Sequence, residues 1–169
     1  MNIRTKSLFY LGDKPHERLI KRVSEGPYCH TAFLLPDGKI ADSRPYHGFG
    51  IYDSHTQKTT QADRFDLDIS IEREALLLEN IHKAASLKIG YGWADLVYYW
   101  IWSKTGWWLR DEQGREFCSE AVANRLRESN IAIWPDLKPN QLDPSKLSEW
   151  RELFTNKTRV YIYNYKLVA

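Results

Sequence analysis

Two short runs of strand-forming residues, Tyr28 to Leu35 and Lys39 to Ser43, are separated only by Pro36-Asp37-Gly38. This tripeptide constrains the fold more than any other feature. Proline presets the first turn position, aspartate bonds back to its own backbone, and glycine accepts a positive φ. Runs joined so tightly pair as an antiparallel hairpin. Helical signals surround it. Lys14-Pro15 opens a helix with a Leu19, Ile20 and Val23 stripe that Gly26-Pro27 ends. Ile71 to Leu87 places Leu76, Leu77, Ile81 and Ala84/Ala85 on one side of a second helix. Mixed order with an early hairpin predicts the α+β class, a small antiparallel sheet or barrel packed against helices.

The remaining segments follow the same signals. Ser7 to Leu11 reads as a short strand. Arg44 to Arg64 is polar, with one strand near Phe49 to Tyr52. Gly90-Tyr91-Gly92 breaks the second helix, and Trp93 to Trp102, apolar on nearly every side, predicts a buried helix. Thr105 to Glu116 is a loop. Phe117 to Ser129 is a helix on which Ala121, Val122 and Leu126 recur with helical spacing from Cys118. Pro135 to Pro144 is a loop, Ser145 to Phe154 a short helix, and Val160 to Val168 a terminal strand. With 169 residues the chain is one domain, 1–169.

Composition removes several function classes. A net charge of +2 with interleaved signs gives no electrostatic footprint for nucleic acid. Two cysteines, Cys29 and Cys118, make no disulfide framework, and no Cys/His spacing suits a metal. The longest apolar stretch, Leu96 to Trp102, falls far short of the roughly 20 residues a spanning helix needs, so no stable membrane insertion is expected. The N-terminus lacks a signal-peptide pattern. The expectation is a protein that is cytoplasmic as made, with lysis or a dedicated secretion machine as the routes out.

Cys118 stands at the mouth of its helix, followed by Ser119 and Glu120. It is either a small buried residue or a nucleophile. Unpaired amides and the helix dipole at an N-terminus favour thiolate. A nucleophilic thiol also needs a histidine, and something to orient that histidine. Among His16, His30, His47, His55 and His82, only His30 lies in an apolar strand. An odd three-residue hairpin loop pairs 34 with 38 and sets Asp42 opposite His30, where a carboxylate would fix the imidazole. An even loop offers Ser43 instead. Cys29, next to His30, is expected on the opposite strand face.

The order of these motifs resembles that of the permuted NlpC-type papain-like cysteine peptidases and amidases, the YaeF/YiiX-like branch. A short strand and a helix precede a "Tyr-x-His" strand, matched by Tyr28, Cys29 and His30. A turn follows, then a strand ending in an acidic or polar residue, matched by Asp42. A Pro- and Gly-containing segment comes next, as in SRPYHGFGIYD. GYGWADLVYYW matches an aromatic helix with a Gly-Tyr start, and Cys118, Ser119 and Glu120 match "Cys-Ser-Glu". A late "Pro-x-x-Leu" fits Pro144 to Leu147. The match covers roughly residues 5 to 150, and the cysteine follows the histidine, as in the permuted group. Aspartate at the third position is a departure, because relatives often carry glutamate, histidine or another polar group there.

The resemblance implies a circularly permuted papain-like fold and a Cys118–His30–Asp42 triad that cleaves an amide bond, in a peptide or cell-wall (peptidoglycan) peptide, through a thioacyl-enzyme. Backbone amides at Cys118 and Ser119 would stabilise the oxyanion, and Tyr28 either positions substrate or packs in the core. No cofactor is implied. Relatives also include lecithin retinol acyltransferase-like enzymes, so a lipid acyltransferase or thioesterase remains a second reading, and a non-catalytic binding module a third. The aromatic helix and Trp107 and Trp108 are either core or the lining of a groove.

Overall fold

The hairpin around Gly38 organises a single curled sheet. A computed structural model describes residues 4–55, 59–107 and 114–168. The strands are β1 (Lys6–Tyr10), β2 (His30–Leu34), β3 (Ile40–Arg44), β4 (Gly48–Tyr52), β5 (Thr59–Leu67), β6 (Phe154–Tyr163) and β7 (Lys166–Val168). They form a seven-stranded antiparallel half-barrel in the order β4-β3-β2-β1-β5-β6-β7. The helices are α1 (Pro15–Val23), α2 (Ile71–Ser86), α3 (Trp93–Thr105), α4 (Cys118–Glu128) and α5 (Pro144–Ser148), with a 3₁₀ turn at Pro139–Gln141. The α+β expectation therefore holds.

Both faces of the sheet centre are covered, which explains why β1 carries three successive apolar residues, Leu8, Phe9 and Tyr10, rather than an alternation. On one face Phe9, Phe33, Ala41 and Phe65 pack with Leu77 and Ile81 of α2 and with Ala121, Val122 and Leu126 of α4. On the other, Leu8, Tyr10, Ala32, Ile40, Ala62 and Ile162 form a second cluster against Ile20 of α1. Ser70 caps α2 by accepting from Arg73 N, and Leu77, Ile81 and Ala84 recur along its buried side.

Four expectations need correction. β5, read from sequence as polar loop, lies between β1 and β6. Its alternation is hidden by a register shift between Arg64 and Asp66 and by buried Asp63, which accepts from the Tyr28 hydroxyl (2.6 Å) and pairs with Lys157 (2.7 Å) and Arg159. The helix at Trp93 forms but is not buried, since Val97 and Trp100 are about half exposed while Tyr99 points inward. The short helix ends at Ser148, and Phe154 already belongs to β6, which turns at Asn164-Tyr165 into β7. Leu19, counted in the α1 stripe, is 61% exposed.

Candidate functional site

Cys118 is the first residue of α4, and the segment before it is held from several sides. Gly90 N donates to the Gly114 carbonyl (3.1 Å) and Glu116 N to the Gly90 carbonyl (3.0 Å). The Glu116 carboxylate accepts from Asn124 (2.7 Å) and from nearly buried Arg125 (3.0 Å), folding the entry back onto its own helix. Glu120 accepts from Phe117 N at 3.3 Å. Phe117 is the N-cap and has no side-chain acceptor, so no side chain from that position covers the first-turn amides of α4. The thiol thus sits at the positive end of a helix, 96% buried.

The same segment meets β2 and β3 where those strands part. Their ladder joins Phe33 to Ala41 and Leu34 to Ile40. Ser43 Oγ donates to the Glu116 carbonyl (2.6 Å), which holds the start of α4, and with it the Cys118 thiol, against the His30 end of β2. His30 Nε2 lies 2.9 Å from Asp42 Oδ2, which leaves Nδ1 for the thiol. Asp42 is fully buried and its Oδ1 accepts from Arg44 Nε at 2.7 Å. Arg44 also donates to the Ser54 carbonyl and stacks on Tyr52, 3.7 Å from the ring centre.

The route to this contact differs from the expected register. Leu34 faces residue 40 rather than 38, because the turn uses Leu35 to Lys39, with Leu35 N donating to the Lys39 carbonyl. Continuing that register sets Asp42 across from Ala32 and His30 across from Arg44. The slip is two residues, one full side-chain period, so His30 and Asp42 keep a common face and meet diagonally.

Burial by itself lowers the His30 pKa. The Cys118 charge, the hydrogen bonds from Asp42 and Cys118, and the Asp42 charge outweigh it and raise His30 to about 10. The group therefore favours imidazolium beside the Asp42 carboxylate. Tyr91, which follows the Gly90 clamp, is raised by burial and then by the charges of Cys118 and Asp42. The Tyr10 ring lies 5.2 Å from the His30 ring, and its hydroxyl is 2.8 Å from His55 Nδ1. Burial pushes His55 down to about 4, against the raising effect of Asp42 and with the lowering effect of Arg44.

Cys118, His30 and Asp42 are thus brought together, and other predicted residues are distributed around them. Tyr28 does not share the His30 face. Its ring packs on Phe9 (5.4 Å) and its hydroxyl is committed to Asp63. Cys29 joins the Leu8, Tyr10 and Ala32 cluster, the side of the sheet that the even residues of β2 occupy, rather than the opposite one. Residues 28 and 29 precede β2 in a bend, where strand alternation does not apply. Ser119 is fully buried, and its hydroxyl has no partner among the described residues. His82 is exposed on α2, whereas His55, grouped from sequence with the loop residue His47, is 96% buried. Trp107 is 76% exposed, and Trp108 lies outside the described residues.

Sequence reasoning did not find Tyr10, Arg44, His55 or Tyr91. Only Arg44 left a trace, as the residue two positions beyond Asp42 on the same strand face. Among the described residues no group of three or more His, Cys, Asp or Glu side chains could hold a metal ion, and no helix is long and apolar enough to cross a membrane. No protein-family model matches the chain, and no curated protein matches it.

Proposed function

We propose that this protein is a cysteine hydrolase of the permuted papain-like type, acting on an amide bond in a peptide or cell-wall peptide. One observation carries the reading. His30 is held between a thiol at a helix N-terminus and a buried carboxylate, the arrangement a thiolate–imidazolium nucleophile requires. The order His30, Asp42, Cys118 along the chain supports the permuted assignment.

The chemistry follows from the geometry. The Cys118 thiolate attacks the carbonyl carbon, forming a C–S bond while the carbonyl π electrons move to oxygen. First-turn amides at Cys118 and Ser119 stabilise that oxyanion. Collapse expels the amine, which takes its proton from the His30 imidazolium. The neutral imidazole then removes a proton from water, whose oxygen attacks the thioacyl carbon and releases the acid and the thiolate. Asp42 keeps Nε2 protonated and Nδ1 directed at sulfur throughout.

The test is a panel of peptide, peptidoglycan and acyl-lipid substrates read by mass spectrometry, with Cys118→Ser as control. Cleavage of an amide, lost in the variant, is expected. The exposed Val97, Trp100 and Trp107 favour acyl chains as the second reading, which transfer or hydrolysis of a lipid acyl group alone would establish. Binding without turnover by any member would replace both with a non-catalytic module. In a separate labelling test, limiting iodoacetamide near neutral pH should modify Cys118 before Cys29, whose thiol is 3.4 Å from the Tyr10 carbonyl. Preferential labelling of Cys29 would overturn the assignment of the nucleophile.

A further inference from the structure

Arg44, whose Nε donates to Asp42, also lines a pocket of about 390 Å³ together with Pro45, His47, Ser54, His55 and Tyr165. None of these lining residues is acidic, and Asp42, the nearby carboxylate, is fully buried behind the guanidinium. The hydrogen bonding around the pocket determines which polar atoms face it. Arg44 uses Nε for Asp42 and Nη2 for the Ser54 carbonyl, and Nη1 has no partner among the described residues. Tyr10 is fully buried, and its ordinary pKa is raised by burial above all, so its hydroxyl keeps its proton. A buried hydroxyl donates, and the neighbour within reach is His55 Nδ1 at 2.8 Å. Nδ1 is therefore the acceptor nitrogen, and the neutral His55 ring carries its proton on Nε2. That N–H has no partner among the described residues either.

We infer that this pocket is a binding site for a carboxylate, held between Arg44 Nη1–H and His55 Nε2–H, and that its occupancy is coupled to the proposed nucleophile through Arg44 and Asp42. Two N–H donors on the wall of one pocket, one of them on a cation, with no acidic residue in the lining, suit the two oxygens of a carboxylate. The volume suits a small ligand or one end of a larger one. Asp42 and a bound carboxylate would share the same guanidinium. The ligand thus draws charge compensation away from Asp42, which then holds the His30 proton more strongly and slows its transfer. The binding half is independent of the cysteine hydrolase reading, while the coupling half rests on it.

The experiment is calorimetric titration of the full chain carrying Cys118→Ser with succinate, acetate and inorganic phosphate, against choline chloride at matched ionic strength. One saturable carboxylate site is expected. It should weaken at least about tenfold in His55→Leu, the loss of one hydrogen bond to a charged group. It should recover in His55→Gln, whose amide N–H falls near the place of Nε2. Absence of saturable heat, tighter binding of phosphate than of either carboxylate, or binding indifferent to His55→Leu would overturn the site. A second arm distinguishes a free effector from a carboxylate carried on the substrate. With the unsubstituted chain, a free effector should change the iodoacetamide rate of Cys118 at saturation. A substrate group should instead show as a KM preference for carboxylated amides, lost in His55→Leu with kcat retained. Binding with neither consequence would overturn the coupling, and the substrate panel would still report on the hydrolase reading.

Discussion

Asp42→Asn removes one charge and almost no volume, and the contacts of Asp42 set its consequences. The carboxylate serves His30 Nε2 through Oδ2 (2.9 Å) and Arg44 Nε through Oδ1 (2.7 Å), with no exposure to solvent. An amide can still accept from one of these donors, but it cannot balance the Arg44 charge, whose side chain is only 11% exposed. Breaking a buried pair from one side costs about 3–5 kcal/mol. From sequence alone this variant would be expected to keep its fold without penalty; the Arg44 contact predicts a clear loss in denaturant midpoint with an unchanged slope. The His30 imidazolium loses the Asp42 charge as well. Each unit by which its pKa falls is about 1.36 kcal/mol of lost support for the charged pair. Turnover should drop, but by less than the roughly 10²- to 10⁴-fold that loss of the base itself costs, because the Cys118–His30 pair can still form. The pH at which Cys118 becomes alkylatable should rise. Adding Arg44→Gln to Asp42→Asn should restore part of the stability, because the orphaned cation is gone, without restoring the alkylation profile. An unchanged midpoint and an unchanged alkylation profile in Asp42→Asn would refute the reasoning.

Three further outcomes are expected. His30→Ala should fold and lose roughly 10²-fold or more in turnover, while His82→Ala, on the exposed side of α2, stays near the starting activity; equal loss in both would break the assignment of the base. The folded His55 pKa of about 4 lies below its ordinary 6.5, so the unfolded chain binds a proton there that the folded chain refuses. Stability from this group is full above about 6.5 and declines as pH falls toward 4, and His55→Gln should flatten that part of a pH series of urea midpoints. Gly48→Ala should destabilise by several kcal/mol, roughly the sum of backbone strain and overpacking, because φ is +72° and a Cβ would lie 2.0 Å from the Ile89 carbonyl oxygen; a midpoint within error of the parent would show that the β4–Ile89 contact yields.

Much of the architecture is local, and local structure is what a single sequence carries. The Pro36-Asp37-Gly38 turn, the Ser70 cap with its Leu77, Ile81 and Ala84 stripe, and the helix beginning at Cys118 each depend on residues within a few positions of one another, so propensity and periodicity expose them. The His30–Asp42 pairing was legible for a narrower reason. Strand side chains alternate with period two, so an error of two residues in register leaves the shared face intact. Tertiary contacts decided the rest. β5 is central because β1 and β6 claim its two edges, and its buried Asp63 is tolerated only through Tyr28, Lys157 and Arg159, partners 35 to 96 residues away. Tyr28 faces that aspartate rather than the thiol because the chain bends before β2. Whether the aromatic α3 would be buried depended on what packed over it, which its own composition does not encode. Tyr10, Arg44 and His55 gather behind the candidate triad from separate segments, and their chemistry arises from desolvation and from one another's charge. Those quantities exist only once distant parts of the chain exclude water together.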